Sequence, residues 1–296
     1  MPTAKATQVI LLTLALGLFV YYGILNWSEV RSVIEQFDPL LIIIALVFAT
    51  ASLFCKVLVN IQLLKQLLHT PLDNLTLIHS YTQSQIVKYI PGKIWGVVFQ
   101  ASSLGDNVRK SDVWVVNLLQ IMILNSFSLI VLMATIFFID ALSVTIKATV
   151  LIGGVVAMLL VYFYFGRILR FAGMDETTLR KYAALIDAKL LRRISFIVLF
   201  DWIFYIAMWA ALAYGQLSFF NIFVTAVNYT TASMIGWLVF FLPSGIVVRE
   251  AVFIAFGQII GENMSLLVVY SIFARLLFLA GDLLLYLLTA TFKRTL

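Results

Sequence analysis

Of the ionisable side chains inside or beside apolar stretches of this sequence, six stand out: Lys93, Asp201, Arg249, Glu250, Arg275 and Asp282. Their types limit the chemistry. Lysine and arginine attract phosphate through charge-assisted hydrogen bonds. Aspartate and glutamate balance such cations or carry protons. Charges placed in apolar segments are costly and usually face a bundle interior or a wet cavity. Arg275 and Asp282 lie two helical turns apart on one face. Arg275 is expected to pair with Asp201, Glu250 or Asp282. Asp201, Glu250 and Asp282 then serve either a structural ion pair or a proton relay. No P-loop, His-Glu zinc motif, Gly-x-Ser-x-Gly or dinucleotide fingerprint is present. No catalytic residue is therefore assigned, and an enzyme is not expected. Cys55 is the lone cysteine, and His69 and His79, read as loop residues, lack metal-ligand spacing. No metal and no other cofactor is expected.

The elements that must carry these charges follow from composition. Of 296 residues, 63% are hydrophobic and 11% charged, and the mean hydropathy is +1.05. Soluble domains are about half apolar and about a quarter charged. A soluble enzyme, a DNA-binding module and a disordered chain are excluded, and nucleic acid is no partner. An all-α polytopic membrane protein remains. Segments of about 20 apolar residues cross a bilayer. Six meet that length, near 7–27, 39–60, 113–139, 143–165, 194–214 and 266–291. The first reads as an uncleaved anchor.

Two further apolar stretches are broken, 75–103 at Pro91-Gly92 and 221–260 at Pro243-Ser244-Gly245. Each reads as a helical hairpin, giving eight membrane helices if the hairpins cross fully. Basic residues crowd segment 166–193 and the C-terminal end, whereas 28–38 carries Glu29, Glu35 and Asp38 against Arg31. By the positive-inside rule both termini are cytoplasmic in an inner membrane. The net charge of +6 is largely this orientation signal.

Halves of about 1–141 and 142–296, within one membrane domain, then share a layout in opposite topology: two spans, a broken hairpin and a third span. Paired interruptions in inverted halves point to a transporter binding site. A half-helix beginning at such a break offers free N–H groups and a positive dipole end to an anion. Lys93 and Arg249 stand at these starts, with Lys88 a turn before the first. Trp95 and Gln100 are expected to line the first half-helix. Lys88 and Lys93 have a second reading, snorkelling to the cytoplasmic interface, which is also the reading for Lys56. Asn117, Gln120 and Asn125 read as interhelical hydrogen bonds.

Two stretches carry a family resemblance. Lys88-Tyr89-Ile90-Pro91-Gly92-Lys93-Ile94-Trp95-Gly96 and Leu242-Pro243-Ser244-Gly245-Ile246-Val247-Val248-Arg249-Glu250-Ala251 resemble the signature breaks of the lysylphosphatidylglycerol synthase transmembrane-region family. The second is similar to that family's Pro-Gly-Gly-x-Gly-x-Arg-Glu pattern and departs from it at Ser244, Ile246 and Val248. The resemblance implies a membrane region that moves lipids between leaflets. Aminoacyl transfer is not expected from it, since a synthase domain is not read in these 296 residues.

The expectation is a lipid flippase or transporter for an anionic lipid, a phospholipid or a polyprenyl-phosphate-linked saccharide. Its substrate would meet Lys88, Lys93, Trp95, Gln100, Arg249, Glu250 and Arg275. The alternatives are a membrane-embedded lipid-modifying enzyme, or a non-transporting subunit partnering lipid- or glycan-synthesis enzymes.

Overall fold

The computed structural model describes residues 27–67, 72–88, 95–105, 108–171, 187–238 and 248–295. Among them there is no strand. In chain order the helices are α1 Trp27–Ile34, α2 Pro39–Leu67, α3 Asn74–Val87, α4 Trp95–Ser103, α5 Lys110–Ile136, α6 Val144–Phe171, α7 Ala188–Leu212, α8 Phe219–Leu238, α9 Val248–Ile259 and α10 Met264–Thr295. Four are long and apolar enough to cross a membrane: α2, α5, α7 and α10, the last over Met264–Lys293. They coincide with four of the expected spans. A fifth, 143–165, is the helix α6. The expected first span, 7–27, lies outside the described residues except for Trp27.

Local chemistry sets the helix starts. Asp73 caps α3 by accepting the Thr76 N–H at 2.8 Å, and Asp187 caps α7 by accepting from Leu190 N–H. Such caps satisfy donors that the first turn leaves orphaned. α9 ends at Gly261, whose φ of +86° is a left-handed conformation that glycine adopts without a Cβ clash. α2 runs further than the sequence suggests, through segment 61–67, which was expected to be loop. Ile61, Leu63, Leu64 and Leu67 are buried there, so packing continues the helix past the apolar span. His79 likewise lies in α3, not in a loop. Its ring stacks on Tyr286, and its Nδ1 is 3.3 Å from the Thr289 hydroxyl.

α2 and α7 form the most extensive packing, side by side and antiparallel, with Phe48 stacked on Phe204 and Ser52 bonded to Asp201. α10 packs across α2, α3 and α9, and α8 packs across α5, α7 and α9. Small residues permit close approach, as is usual between membrane helices. At Gly281 a Cβ would lie 2.8 Å from Leu53 and 3.2 Å from the Thr50 hydroxyl, so glycine lets α10 lie against α2.

A chain of carboxamides ties α3 and α4 into the bundle. Gln100 of α4 donates to Asn60 of α2 at 2.8 Å, and Asn60 donates to Gln120 of α5 at 2.8 Å. Gln120 donates onward to the Tyr81 hydroxyl of α3 and to the Lys56 carbonyl. Asn117 donates to Gln100 at 2.7 Å. Each buried amide is thereby satisfied by a neighbouring helix.

Candidate functional site

Seven of the described helices, α2, α3, α5, α7, α8, α9 and α10, enclose a cavity of about 450 Å³. That is within the range of small-ligand sites, roughly 300–1,000 Å³. Four cations line it, each from a different place: Lys56 on α2, Lys88 at the C-terminus of α3, Arg249 in the first turn of α9 and Arg275 on α10. Asp201 of α7 and Asp282 of α10 also line it.

The charges are held in three groups. Lys88 Nζ lies 2.7 Å from Asp282 and also donates to Gln85 at 3.0 Å. Lys56 Nζ lies 3.9 Å from Asp201, whose carboxylate accepts from Ser52 at 2.5 Å, and it sits 5.5 Å from the Phe278 ring centre. Glu250, buried just behind the cavity, receives both arginines: Arg249 at 2.8 Å and Arg275 at 3.1 Å. The Arg249 guanidinium also covers the face of Tyr229 at 5.0 Å, a cation–π contact. Arg275 thus chooses Glu250 among its three expected partners.

The balance is uneven. Four cations face three carboxylates, Asp201, Glu250 and Asp282. One positive charge is left over among the described residues. Placing a second guanidinium on one carboxylate is unfavourable unless another anion relieves it. In the first turn of α9 the helix dipole favours the Glu250 carboxylate, which Arg249 beside it pairs with. The sharing of one carboxylate by two guanidinium groups favours an anion entering between Arg249 and Arg275.

The remaining lining is mixed. Leu53, Val57, Leu124 and Phe278 supply apolar surface, and Thr82, Asn125, Ser128, Thr230 and Ser233 supply neutral polar groups. An amphiphile's polar end fits such a lining better than an inorganic ion does.

The expected site residues fall into three sets. Lys88, Asp201, Arg249, Arg275 and Asp282 line one cavity, with Glu250 directly behind two of them. Trp95 and Gln100, expected to meet substrate, lie elsewhere. Trp95 is 49% exposed on the outside of α4, and Gln100 is fully buried, its carboxamide consumed by Asn60 and Asn117. Pro91, Gly92, Lys93, Pro243, Ser244 and Gly245 lie outside the described residues. Lys56, read as snorkelling, instead turns inward to Asp201, because a buried carboxylate offers its ammonium a partner at that depth. Tyr229, Trp202 and Tyr205 also line the cavity. Nothing in the sequence distinguished these aromatics from the many others. Asn125 was read with Asn117 and Gln120 as an interhelical hydrogen bond, but it lies five residues past Gln120, on another face of the helix, and it alone of the three reaches the cavity. Among the described residues no cluster of three metal-ligating side chains occurs.

No protein-family model matches the chain, and no curated protein matches it.

Proposed function

We propose that this chain is an integral-membrane transporter that moves an anionic lipid between the leaflets of an inner membrane. One observation carries the reading: cations from four separate helices converge on one amphiphilic cavity with a positive charge in surplus. A cavity of about 450 Å³ holds a headgroup and leaves acyl chains outside in lipid. The resemblance to the lysylphosphatidylglycerol synthase transmembrane region belongs to the same reading, since Arg249 and Glu250 carry its most specific part.

The finer architecture is part of this proposal: six full spans, two broken hairpins and inverted halves with cytoplasmic ends. Two features support it. Over the described residues α4 has 9 residues and α9 has 12; at 1.5 Å per residue these reach about 14 and 18 Å, short of a hydrocarbon core of about 30 Å. Secondly, the packing pattern is nearly unchanged when the helices of the two halves are exchanged in order. α3 on α4 corresponds to α8 on α9, α4 on α5 to α9 on α10, α3 on α10 to α8 on α5, α2 on α3 to α7 on α8, and α1 on α10 to α6 on α5. The antiparallel α2–α7 pair is its own counterpart. α2 breaks the pattern by packing also on α5 and α10.

Reconstitution tests the function. Purified protein in liposomes is expected to move a fluorescent anionic phospholipid from the inner to the outer leaflet, read by quenching from outside. Arg249→Ala is expected to slow this by tenfold or more while the protein remains folded, since charge-assisted contacts contribute about 1.5–3 kcal/mol each. Absence of movement with the wild type, with and without a proton gradient, overturns the proposal. Chemical change of the lipid without movement favours the embedded enzyme instead.

A further inference from the structure

Tyr229 is 2% exposed and borders the cavity, yet its hydroxyl has no hydrogen-bond partner among the described residues. The Arg249 guanidinium covers its ring. A buried hydroxyl left unmatched is costly, and in native structures it marks a group awaiting a partner. Beside two arginines, the natural partner is an anionic oxygen.

Asn125, which is half-buried, adds an observation of a different kind. Its carboxamide lines the cavity from α5 and makes no hydrogen bond to another described residue. It offers donors and an acceptor together. Near it, Ser128, Thr230 and Ser233 each donate their hydroxyl hydrogen to a carbonyl of their own helix, Leu124, Ala226 and Tyr229 respectively. Their lone pairs therefore remain to accept hydrogen bonds from a ligand. Acceptors of this sort suit hydroxyl groups.

The carboxylates exclude the other common headgroup. An amine-bearing headgroup needs an acid to receive its ammonium. Asp282 holds Lys88, Asp201 holds Ser52 and Lys56, and Glu250 holds two arginines. An incoming ammonium would have to displace a resident cation and would add to the positive surplus.

Resting on the lipid-transport reading above, we infer that the cavity takes a phosphate joined to a neutral polyhydroxyl group and discriminates against amine-bearing headgroups. The phosphate lies against Arg249, Arg275 and Tyr229, and the hydroxyls lie against Asn125 and the Ser128, Thr230 and Ser233 oxygens. Glycerol or a sugar attached through phosphate to a lipid meets this description, and so does a soluble polyol phosphate.

The test measures binding to the purified full chain by native mass spectrometry. The probes are short-chain phosphatidylglycerol, short-chain phosphatidylethanolamine, a prenyl-phosphate hexose and glycerol 3-phosphate. Movement of the first two, labelled, is followed in liposomes. The polyol lipids are expected to bind at least tenfold tighter than phosphatidylethanolamine. Tyr229→Phe keeps the ring packed and is expected to weaken every phosphate-bearing probe by about tenfold. Asn125→Leu is expected to weaken the polyol probes and leave phosphatidylethanolamine unchanged. Equal or tighter binding of phosphatidylethanolamine overturns the inference, as does Asn125→Leu or Tyr229→Phe binding that matches wild type. If lipids move but the amine lipid moves faster, the inference fails and transport stands. If no lipid binds or moves and glycerol 3-phosphate does, the polyol-phosphate chemistry stands and the lipid reading fails.

Discussion

Glu262 sits in the turn between α9 and α10, where one of its carboxyl oxygens is buried without a hydrogen-bond partner among the described residues. The other accepts from the Thr225 hydroxyl at 3.4 Å. Burial raises its pKa above the usual carboxylate range, and the Thr225 bond opposes this only in part. The protonated form is the one the fold favours. Its contribution is complete below the ordinary glutamate range and is lost as pH rises through the elevated value. Glu262→Gln keeps the Thr225 contact and removes the ionisation. It is therefore expected to raise the thermal midpoint at pH 7 and to flatten the midpoint's fall between acidic and neutral pH. An unchanged pH slope in detergent-solubilised protein would refute this. The sequence made some residues of the site legible at this scale, because charges are scarce enough in an apolar chain for Arg249, Glu250, Arg275, Asp201 and Asp282 to stand out. Their partners were not legible. Three acids were open to Arg275, and the choice of Glu250 depends on how α9 rotates against α10. Tyr229 was invisible, since a tyrosine's significance lies in whether its hydroxyl is satisfied, and composition does not record that.

The helices themselves were easier to read than their contacts. Length and apolarity located α2, α5, α6, α7 and α10, and the Pro/Gly interruptions separated α3 from α4 and α8 from α9. The ends drifted where packing overrode polarity, as at the C-terminal end of α2. In water a helix shows its buried face as an amphipathic stripe. In lipid the outward face is apolar too, so the pattern does not reveal which way a span is turned. Glycines carry part of that missing information. At Gly96 a Cβ would lie 2.9 Å from the Ser84 carbonyl oxygen, so α4 lies against α3 only because the position is bare. Gly153 on α6 has nothing within 4 Å. Gly96→Ala is expected to lower stability by about 1–3 kcal/mol, the usual cost of overpacking, and to slow lipid movement by shifting Lys88 relative to Asp282. Gly153→Ala, which meets no neighbour, is the control and is expected to melt at or slightly above the wild-type midpoint. Paired melting curves decide the matter, and equal loss in both would remove the packing argument.

For the whole molecule, hydropathy supplied the class, but the junction of the bundle had to be seen. No single helix holds the site. Its cations arrive on α2, α3, α9 and α10, and its acids on α7, α9 and α10. Residues from 53 to 285 border one space, so the local pattern of any one segment says nothing about it. Among the described residues that space carries one positive charge in surplus, and under the proposed transport function this has an electrical meaning. A monoanionic headgroup cancels it, leaving the filled cavity neutral, whereas the empty cavity keeps its charge. A transmembrane potential therefore acts on the empty protein and barely on the loaded one. One elementary charge crossing the full field corresponds to about 2.3 kcal/mol per 100 mV, and a cavity that traverses part of the field feels a fraction of that. Exchange of lipid for lipid, in which the cavity is never empty while it reorients, is expected to ignore an imposed diffusion potential. Net one-way movement is expected to quicken under one polarity and slow under the other. Under the proposed transport function, the charged state is the resting one, and the membrane voltage would reset it between passengers.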